Sequence, residues 1–300
     1  MPIVSISTMQ FVSDVHREYE HHLGRPWPKI VPRARYLALA GDIGNPAQKS
    51  YSAYLSYCCS LFHHVFVVAG NHEFWGHEYN TCKRKIRSIC AEKRNCTFLD
   101  DEMVEVDGLR VFGATLWSDV SDRAAEGMND YNTIYYEHKN LTADDTRGMH
   151  RKTVATIKGL LDESCKPLLV ITHYAPLHAM NGRYGNSPNI SAFCSELGHL
   201  FRKPLVGWIS GHTHSSVQMA ENGIPCLSNC WGYDVKEYAG YRQDAVLDLT
   251  DVHPYFGSVA SFGKFVKDGV RVQGVMRRPR LDPLDDKQTW LSQKPAIQSA

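Results

Sequence analysis

The sequence predicts an α/β fold in which two packed β-sheets are flanked by helices. Short apolar runs that have the length of buried strands alternate with helical patterns, and two further segments have the pattern of hairpins. Five of the runs end abruptly in polar residues: "ISTMQFVSDVH", "YLALAGDIGN", "HVFVVAGNHE", "PLLVITHYAP" and "LVGWISGHTH". Open α/β sheets place their sites at the carboxyl ends of strands, so these polar residues are the functional candidates.

Three helices are predicted between the strands, over residues 47–62, 77–94 and 144–165. The first two fill the gaps after the second and third strands. The third begins at a pattern like a capping box, because Thr142 is followed three residues later by Asp145. The apolar positions that fall on one face of this helix include Val154, Ile157 and Leu161.

Two hairpins are predicted from pairs of turn residues. Asp107-Gly108 interrupts the apolar segment "MVEVDGLRVFGATLW", and Asn222-Gly223 lies within "ENGIPCLSN". Asp-Gly and Asn-Gly pairs favour the tight turns of hairpins because these residues tolerate positive φ angles. Hairpins combined with alternating strands and helices indicate two sheets of mixed strand direction.

We expect a single domain over residues 1–275. Within it, residues 117–143 and 174–190 have the composition of long loops, which are often functional when they lie beside strand ends. The stretch "YFGSVASFGKFVKDGV" adds either a strand pair or an embellishment against the site. Residues 276–300 are rich in proline and charge and have no apolar periodicity, which predicts an extended or poorly ordered tail.

The composition favours a folded, cytoplasmic protein. Hydrophobic residues make up 43% of the 300 residues, and a net charge of +1 predicts no attraction to duplex nucleic acid or to a membrane surface. The nine cysteines form no CxxC pair, and their scatter fits reduced thiols better than a disulfide framework. No signal peptide is visible, and no apolar stretch approaches the roughly 20 residues that span a bilayer. The oligomeric state is not predicted.

Eight polar side chains at the five strand ends can bind metal ions or transfer protons. A single histidine at such a place is usually structural, but five segments with the same pattern indicate a shared site. The strand period of two predicts that the Asp and His of D-x-H share one face, as do both histidines of H-x-H. The eight residues are Asp14, His16, Asp42, Asn71, His72, His173, His212 and His214.

These side chains can supply ligands for two divalent ions about 3.5–4 Å apart, with the Asp42 carboxylate as a possible bridge. Imidazole, carboxylate and amide ligands together suit manganese, iron, zinc or cobalt better than calcium or magnesium. The sequence therefore predicts a dinuclear centre, with manganese as the favoured ion.

The motifs "DVH", "GDIGN", "GNHE", "THY" and "GHTH", in this order, resemble the five signature blocks of the calcineurin-like metallophosphoesterase superfamily. Further stretches, "GATLWSD", "MNDY", "LTADDT" and "NCWGY", are similar to segments of bacterial-type members of that superfamily. The resemblance covers roughly residues 5–235. It implies a four-layer α-β-β-α sandwich, that is, two mixed sheets flanked by helices.

The resemblance also implies a role for each matching residue. His72 would lie just outside the ligand set and protonate the leaving oxygen, and Asn71 would both ligate a metal and donate its amide to a phosphate oxygen. Glu73 is expected to start the following helix rather than to orient His72. The implied ligands are Asp14, His16 and His214 for one ion, Asn71, His173 and His212 for the other, and Asp42 as the bridge.

The sequence departs from the protein phosphatases of the superfamily, which carry the block "GDxxDRG". In "GDIGNPA", Asn45 and Pro46 stand where Asp and Arg would be, so a phosphate clamp and a partner of the acid histidine are both missing. A protein phosphatase is therefore a less favoured alternative, and a non-catalytic scaffold is opposed by the full set of ligands. Tyr174 stands where similar bacterial sequences often have a second histidine, which predicts altered specificity.

We therefore predict a dinuclear hydrolase that cleaves a small phosphodiester or phosphomonoester by attack of a metal-bound hydroxide, with a diester favoured. Substrate contacts are expected from Asn45 and Arg183, and also from residues 129–131. Tyr131 and Trp231 could stack on a base, but large aromatic side chains of this kind are expected in the core.

Overall fold

The protein is described from a computed structural model. The structure describes residues 8–19, 27–185, 187–233, 240–249, 265–267 and 270–272. Two large mixed β-sheets are flanked by helices, which confirms the predicted four-layer sandwich. A third sheet contains only two short strands. Strands and helices are numbered along the chain below.

Seven strands form the first sheet: β1 (Thr8–Val12), β2 (Tyr36–Ala40), β3 (His64–Val68), β4 (Cys96–Phe98), β13 (Val246–Asp248), β14 (Phe265–Lys267) and β15 (Val270–Val272). Their order is β15-β14-β13-β1-β2-β3-β4. The first four run parallel, and β13 to β15 join them through antiparallel pairing. The segment after residue 255 therefore contributes a strand pair, one of the two predicted alternatives.

Six strands form the second sheet: β5 (Glu102–Val106), β6 (Leu109–Ala114), β9 (Leu168–Thr172), β10 (Leu205–Ser210), β11 (Gln218–Glu221) and β12 (Ile224–Ser228). Their order is β11-β12-β10-β9-β6-β5, with a hairpin at each edge. The hairpin turns have positive φ angles at Asp107, Gly108, Asn222 and Gly223. Both predicted hairpins are confirmed.

Three long helices match the predicted ones to within two residues at each end, except that the second ends three residues early. They are α1 (Lys49–Leu61), α2 (Tyr79–Ala91) and α5 (Ala143–Glu163). Helix α5 begins with the predicted capping box between Thr142 and Asp145. The first predicted loop contains short elements: α3 (Asp122–Ala125), α4 (Asp130–Thr133), β7 (Tyr135–Tyr136) and β8 (Lys139–Asn140).

Alternate residues of the strands pack into two different apolar layers. In β2, Tyr36 and Ala38 belong to the layer between the sheets, whereas Leu37 and Leu39 pack with side chains of the helices. This follows from the strand period of two, because successive side chains point to opposite faces. Full burial of a leucine contributes about 1.5–3 kcal/mol, so both faces of the sheet stabilise the fold.

The carboxyl-terminal part of the prediction is only partly covered. The predicted tail, residues 276–300, lies outside the described residues, and the domain boundary at residue 275 stays a prediction. All nine cysteines carry free thiols, as expected. Within the part of the chain that the structure describes, no helix is long and apolar enough to cross a bilayer.

Candidate metal centre

The eight strand-end residues meet where both sheets present the carboxyl ends of parallel strands. Strands β1, β2 and β3 are neighbours in the first sheet, and β9 and β10 are neighbours in the second. Neighbouring parallel strands place their carboxyl ends side by side, which brings together residues that are far apart in sequence. Every one of the eight side chains is buried, and none is more than 8% exposed.

Three of the residues form a first group that could hold a metal ion, namely Asp14, His16 and His214, with ligand atoms within 4.8 Å of one another. The Nε2 atoms of His16 and His214 face each other at 3.1 Å, and His214 Nε2 lies 3.5 Å from Asp14 Oδ1. Imidazole nitrogens at this separation either share a proton or point toward a common cation.

A second group consists of Asp42, His173 and His212, again with ligand atoms within 4.8 Å of one another. His173 Nε2 lies 3.1 Å from His212 Nδ1 and 3.3 Å from Asp42 Oδ2. The side-chain oxygen of Asn71 lies 3.1 Å from the same His173 nitrogen. One carboxylate oxygen, one amide oxygen and two imidazole nitrogens therefore converge.

The carboxylate of Asp42 lies between the two groups. Its Oδ2 atom is 3.8 Å from His16 Nε2 and 3.3 Å from His173 Nε2. Its Oδ1 atom accepts a hydrogen bond from the backbone N–H of His72 at 2.9 Å, which fixes the orientation of the carboxylate. Buried, convergent nitrogen and oxygen atoms of these types fit divalent transition metals, and a carboxylate between them fits a bridging ligand.

The backbone is left-handed at five of the seven predicted ligands. The φ angles are 56° at Asp14, 50° at His16, 53° at Asp42, 67° at His212 and 48° at His214. Residues held in this region cost about 1–3 kcal/mol each, and they cluster at functional sites. The strand period of two was expected to bring together the two residues of D-x-H and the two residues of H-x-H. These residues instead lie beyond the ends of β1 and β10, where the left-handed backbone turns sharply and directs their side chains to the site.

Two glycines allow the turns to pack against the ligands. A Cβ atom on Gly70 would lie 2.1 Å from Asp42 Oδ1, and one on Gly41 would lie 2.4 Å from His173 Nδ1. Gly41 also has a φ angle of +85°. Only glycine fits at these positions, which explains why "GDIGN" and "GNHE" both begin with it.

Backbone carbonyls fix the orientation of two of the histidines. His173 Nδ1 donates to Ala40 O at 2.9 Å, and His212 Nε2 donates to Ala192 O at 3.2 Å. The other nitrogen of each ring is thereby directed at the second group, as is usual for histidine ligands.

The surroundings of the same two histidines shift their pKa values in opposite directions. Burial disfavours the charged form of His173, but Asp42 and Asp14 outweigh burial and raise its pKa to about 9. Burial and the neighbouring His173 hold the pKa of His212 well below its usual value. A cation bound between these rings would compete with protons for the same ring nitrogens.

Glu73 has a role different from the expected one. Its fully buried carboxylate accepts hydrogen bonds from the backbone N–H groups of Asp42 at 3.0 Å, Ile43 at 2.7 Å and Gly70 at 2.7 Å. The expectation that Glu73 mainly starts a helix is therefore wrong. It ties the turn after β2 to the turn after β3, because three convergent N–H donors need an acceptor.

Asp130, within the "MNDY" stretch, supports Asn71. Its Oδ1 atom accepts hydrogen bonds from Asn71 Nδ2 at 2.8 Å and from Trp75 Nε1 at 2.7 Å, and the side chain is 1% exposed. Since the amide nitrogen points at Asp130, the amide oxygen of Asn71 must point at the second group. Asp130 thus orients a predicted ligand, a role that sequence reasoning missed.

Three side chains surround the ring of His72. Glu18 Oε1 lies 3.1 Å from Nδ1, the Tyr233 hydroxyl lies 2.9 Å from Nε2, and the Trp75 ring is stacked on the imidazole with centroids 3.6 Å apart. Sequence reasoning assigned no role to Glu18 or Tyr233. The spacing D-x-H-x-E offered a signal for Glu18, because it continues the two-residue interval that marks Asp14 and His16.

Of the predicted substrate contacts Asn45 and Arg183, the structure describes the side chain of Asn45 but not that of Arg183. The half-buried Asn45 accepts hydrogen bonds from His77 Nε2 and from the backbone N–H of Ala47, both at 2.9 Å. The backbone of Arg183 belongs to the 3₁₀ helix His178–Tyr184, but its side chain lies outside the described part of the structure. Both residues stay predictions as substrate contacts.

The predicted aromatic residues lie mainly against other aromatic or apolar groups. Tyr131 is half-buried, packs on the core and bonds through its hydroxyl to Thr146 Oγ1 at 3.1 Å, which agrees with the expected core position. Trp231 packs edge-to-face on Tyr241. Tyr174 is buried against the His212 ring, with centroids 4.0 Å apart, and so lies beside the second group.

Residues 10–216 match the family model of the calcineurin-like phosphoesterases. The chain belongs to this family. This phosphoesterase is also 32% identical, over 270 residues, to the uncharacterized protein L509 of Acanthamoeba polyphaga mimivirus. That match covers 80% of the phosphoesterase chain and 96% of the viral protein.

Solved structures share the fold of this phosphoesterase at low sequence identity. The phosphopantetheinyl hydrolase of Mycobacterium tuberculosis has a TM-score of 0.57 and 17% identity, and the match covers 78% of this chain and 92% of that one. The protein TT1561 of Thermus thermophilus has a TM-score of 0.51 and 13% identity, with 83% and 97% covered. The predicted family and fold are both confirmed.

Proposed function

We propose that this phosphoesterase is a dinuclear enzyme that hydrolyses small phosphodiesters or phosphomonoesters. The observation that carries the proposal is the position of the Asp42 carboxylate between two buried ligand groups, with Oδ2 within 3.8 Å of a histidine nitrogen from each. The proposed ligands are Asp14, His16 and His214 for one cation, Asn71, His173 and His212 for the other, and Asp42 for both.

The nitrogen-rich ligand set suits manganese, iron, zinc or cobalt, and manganese is the first ion to test. When bound, two such cations acidify a water molecule and offset the negative charge of the phosphate. The proposed location is the cytoplasm, because the scatter of the nine cysteines along the sequence fits reduced thiols better than a disulfide framework.

His72 is proposed to protonate the leaving oxygen. Burial alone would lower its pKa, but the carboxylates of Asp42 and Glu18 outweigh burial and raise it. The ring therefore carries a transferable proton more often near neutral pH than a free imidazole does. Asn71 has two amide hydrogens, of which one is donated to Asp130. The other is proposed to meet a phosphate oxygen.

We propose a monoanionic diester as the preferred substrate. A dianionic monoester requires more positive charge from the protein, and "GDIGNPA" lacks the arginine that clamps phosphate in protein phosphatases. Asn45 and Arg183 are the proposed contacts to the phosphate or its substituent. The name of the mycobacterial neighbour makes phosphopantetheinyl esters one group to include in a substrate screen.

The test compares bis(p-nitrophenyl) phosphate with p-nitrophenyl phosphate in the presence of Mn²⁺. We expect the diester to be hydrolysed, EDTA to abolish turnover and added Mn²⁺ to restore it. Asp42→Asn should lower kcat by about a thousandfold or more, because the charge stabilisation supplied by the cations amounts to several kcal/mol. His72→Ala should lower kcat for a phenyl diester by about a hundredfold or more, and for the p-nitrophenyl diester by less than about tenfold, because p-nitrophenolate leaves with little protonation.

The matched control is Asp162→Asn, which changes an exposed carboxylate on α5 in the same chemical way and should leave kcat unchanged. Turnover of the monoester alone would contradict the preference for diesters. No turnover of either ester by protein that contains two equivalents of metal would contradict the proposed hydrolase activity.

A further inference from the structure

A carboxylate outside the predicted site residues connects two of its histidines. Glu18 belongs to the short 3₁₀ helix Arg17–Tyr19 that follows β1, and its side chain is 12% exposed. A single oxygen, Oε1, lies 2.9 Å from His16 Nδ1 and 3.1 Å from His72 Nδ1. Both distances are those of direct hydrogen bonds.

This arrangement decides which nitrogen of each ring carries a proton. An ionised carboxylate can only accept, so both Nδ1 atoms must be N–H donors toward Glu18. The Nε2 atom of His16 is then left with a lone pair, and it faces His214 in the first metal-ligand group. The Nε2 atom of His72 points to the opposite side, toward the hydroxyl of Tyr233.

The residue that the family pattern would place beside the acid histidine does not take this role. The pattern of the protein phosphatases has an Asp where this chain has Asn45. The side-chain oxygen of Asn45 is directed at His77 Nε2 and at the backbone N–H of Ala47. The charged partner of His72 therefore comes from a different strand end.

We propose that Glu18 is the positioning residue of His72, so that the Nε2–H of this ring faces the leaving oxygen of the substrate. The inference rests on the proposed function, in which His72 is the general acid. Trp75 limits the tilt of the ring through stacking at 3.6 Å, and Glu18 limits its rotation through the Nδ1 hydrogen bond. The arrangement resembles the role of the carboxylate in a catalytic triad, which holds an imidazole in one tautomer.

His16, Glu18 and His72 also have ligand atoms close enough together to hold a metal ion. In that case Glu18 and both Nδ1 atoms would coordinate a third cation instead of forming hydrogen bonds. The two arrangements predict different stoichiometries. Direct hydrogen bonding leaves two metal equivalents in both wild type and Glu18→Gln, whereas a third site gives three equivalents that fall to two in the variant.

The main test measures how kcat depends on the leaving group. Glu18→Gln keeps the size of the side chain but removes its charge, and it puts an amide donor beside two ring N–H groups. For p-nitrophenyl diesters, whose leaving group needs little protonation, we expect kcat to fall less than tenfold. For phenyl diesters, which need the acid, we expect a fall of about a hundredfold or more, with little change in KM.

A double-mutant cycle assigns the effect to His72. In a His72→Ala background, Glu18→Gln should change kcat for the phenyl diester by less than threefold, because the ring that it positions is gone. Glu126→Gln, at an exposed position, is the matched control and should leave both substrates unaffected. Equal losses on both diesters, or a loss accompanied by reduced metal content, would overturn the positioning role.

A readout that needs no activity separates this inference from the proposed function. In ¹⁵N-edited spectra of the metal-free protein, assigned with His72→Ala, the His72 Nδ1 should carry a proton in wild type and shift in Glu18→Gln. An unprotonated Nδ1 would overturn the inference even if the enzyme is active. Absence of ester hydrolysis with the expected His72 signal would instead reject the proposed function.

Discussion

Replacing Asp130 by alanine tests whether the support of Asn71 is energetically important. The change removes the oxygen that accepts from both Asn71 Nδ2 and Trp75 Nε1, at 2.8 and 2.7 Å. Hydrogen bonds to a charged group contribute about 1.5–3 kcal/mol each, so two of them amount to about 3–6 kcal/mol. Burial raises the pKa of Asp130, so the cost of burying the charged carboxylate offsets part of what the two hydrogen bonds contribute. We expect Asp130→Ala to lower the free energy of unfolding by about 3–4 kcal/mol, near the lower end of that range.

The assay is urea unfolding of EDTA-treated protein followed by tryptophan fluorescence, together with titration of Mn²⁺ into the folded protein. Asp130→Ala should also weaken Mn²⁺ binding by about 10–100-fold, because Asn71 can then rotate its oxygen away from the second group. Asp130→Asn keeps an oxygen acceptor in the same place and should cost less than about 1.5 kcal/mol. Equal losses in the two variants would refute the reasoning, as would an unchanged Mn²⁺ affinity in Asp130→Ala.

Other contacts lead to three further predictions. Tyr233→Phe removes the hydroxyl that occupies His72 Nε2, so KM should fall about fivefold with kcat nearly constant; a hundredfold fall in kcat in steady-state assays would contradict this. His150 is buried and its pKa is lowered, so the unfolded chain binds a proton at this residue at a higher pH than the folded protein does. The free energy of unfolding should therefore fall as the pH drops below about 6.5. The urea midpoint should depend less on pH in His150→Asn than in wild type. Thr142→Ala removes the cap acceptor for Asp145 N and should cost about 1 kcal/mol in thermal unfolding without changing kcat.

The sequence predicted the parts of the fold that depend on local chemistry. The turns at Asp107-Gly108 and Asn222-Gly223 were predictable because these residue pairs adopt positive φ angles with little strain. Helix α5 was predictable from its capping box. The strand ends were predictable because apolar runs stop where the chain leaves the core, and all eight polar residues that follow are brought to one place.

The supporting residues could not be predicted in the same way, since their partners are remote in sequence. Glu73 binds backbone N–H groups around residue 42, and Asp130 binds Asn71 across 59 positions of the chain. The sequence alone does not distinguish an Asp or Glu that will be buried from one that will be exposed, because burial depends on the fold. Tyr233 reaches His72 from 161 positions away, and only its place in "NCWGY" singled out the segment.

The two ligand groups each combine residues from both sheets, and this has a consequence for biosynthesis. In the first group, Asp14 and His16 follow the first strand, but His214 follows β10. The second group likewise needs His173 and His212. A ribosome must therefore synthesise more than two thirds of the polypeptide before either proposed ligand group is complete. Chains that end before residue 212 thus lack both complete ligand sets, so a metal ion held by either group would mark the assembly of the two sheets.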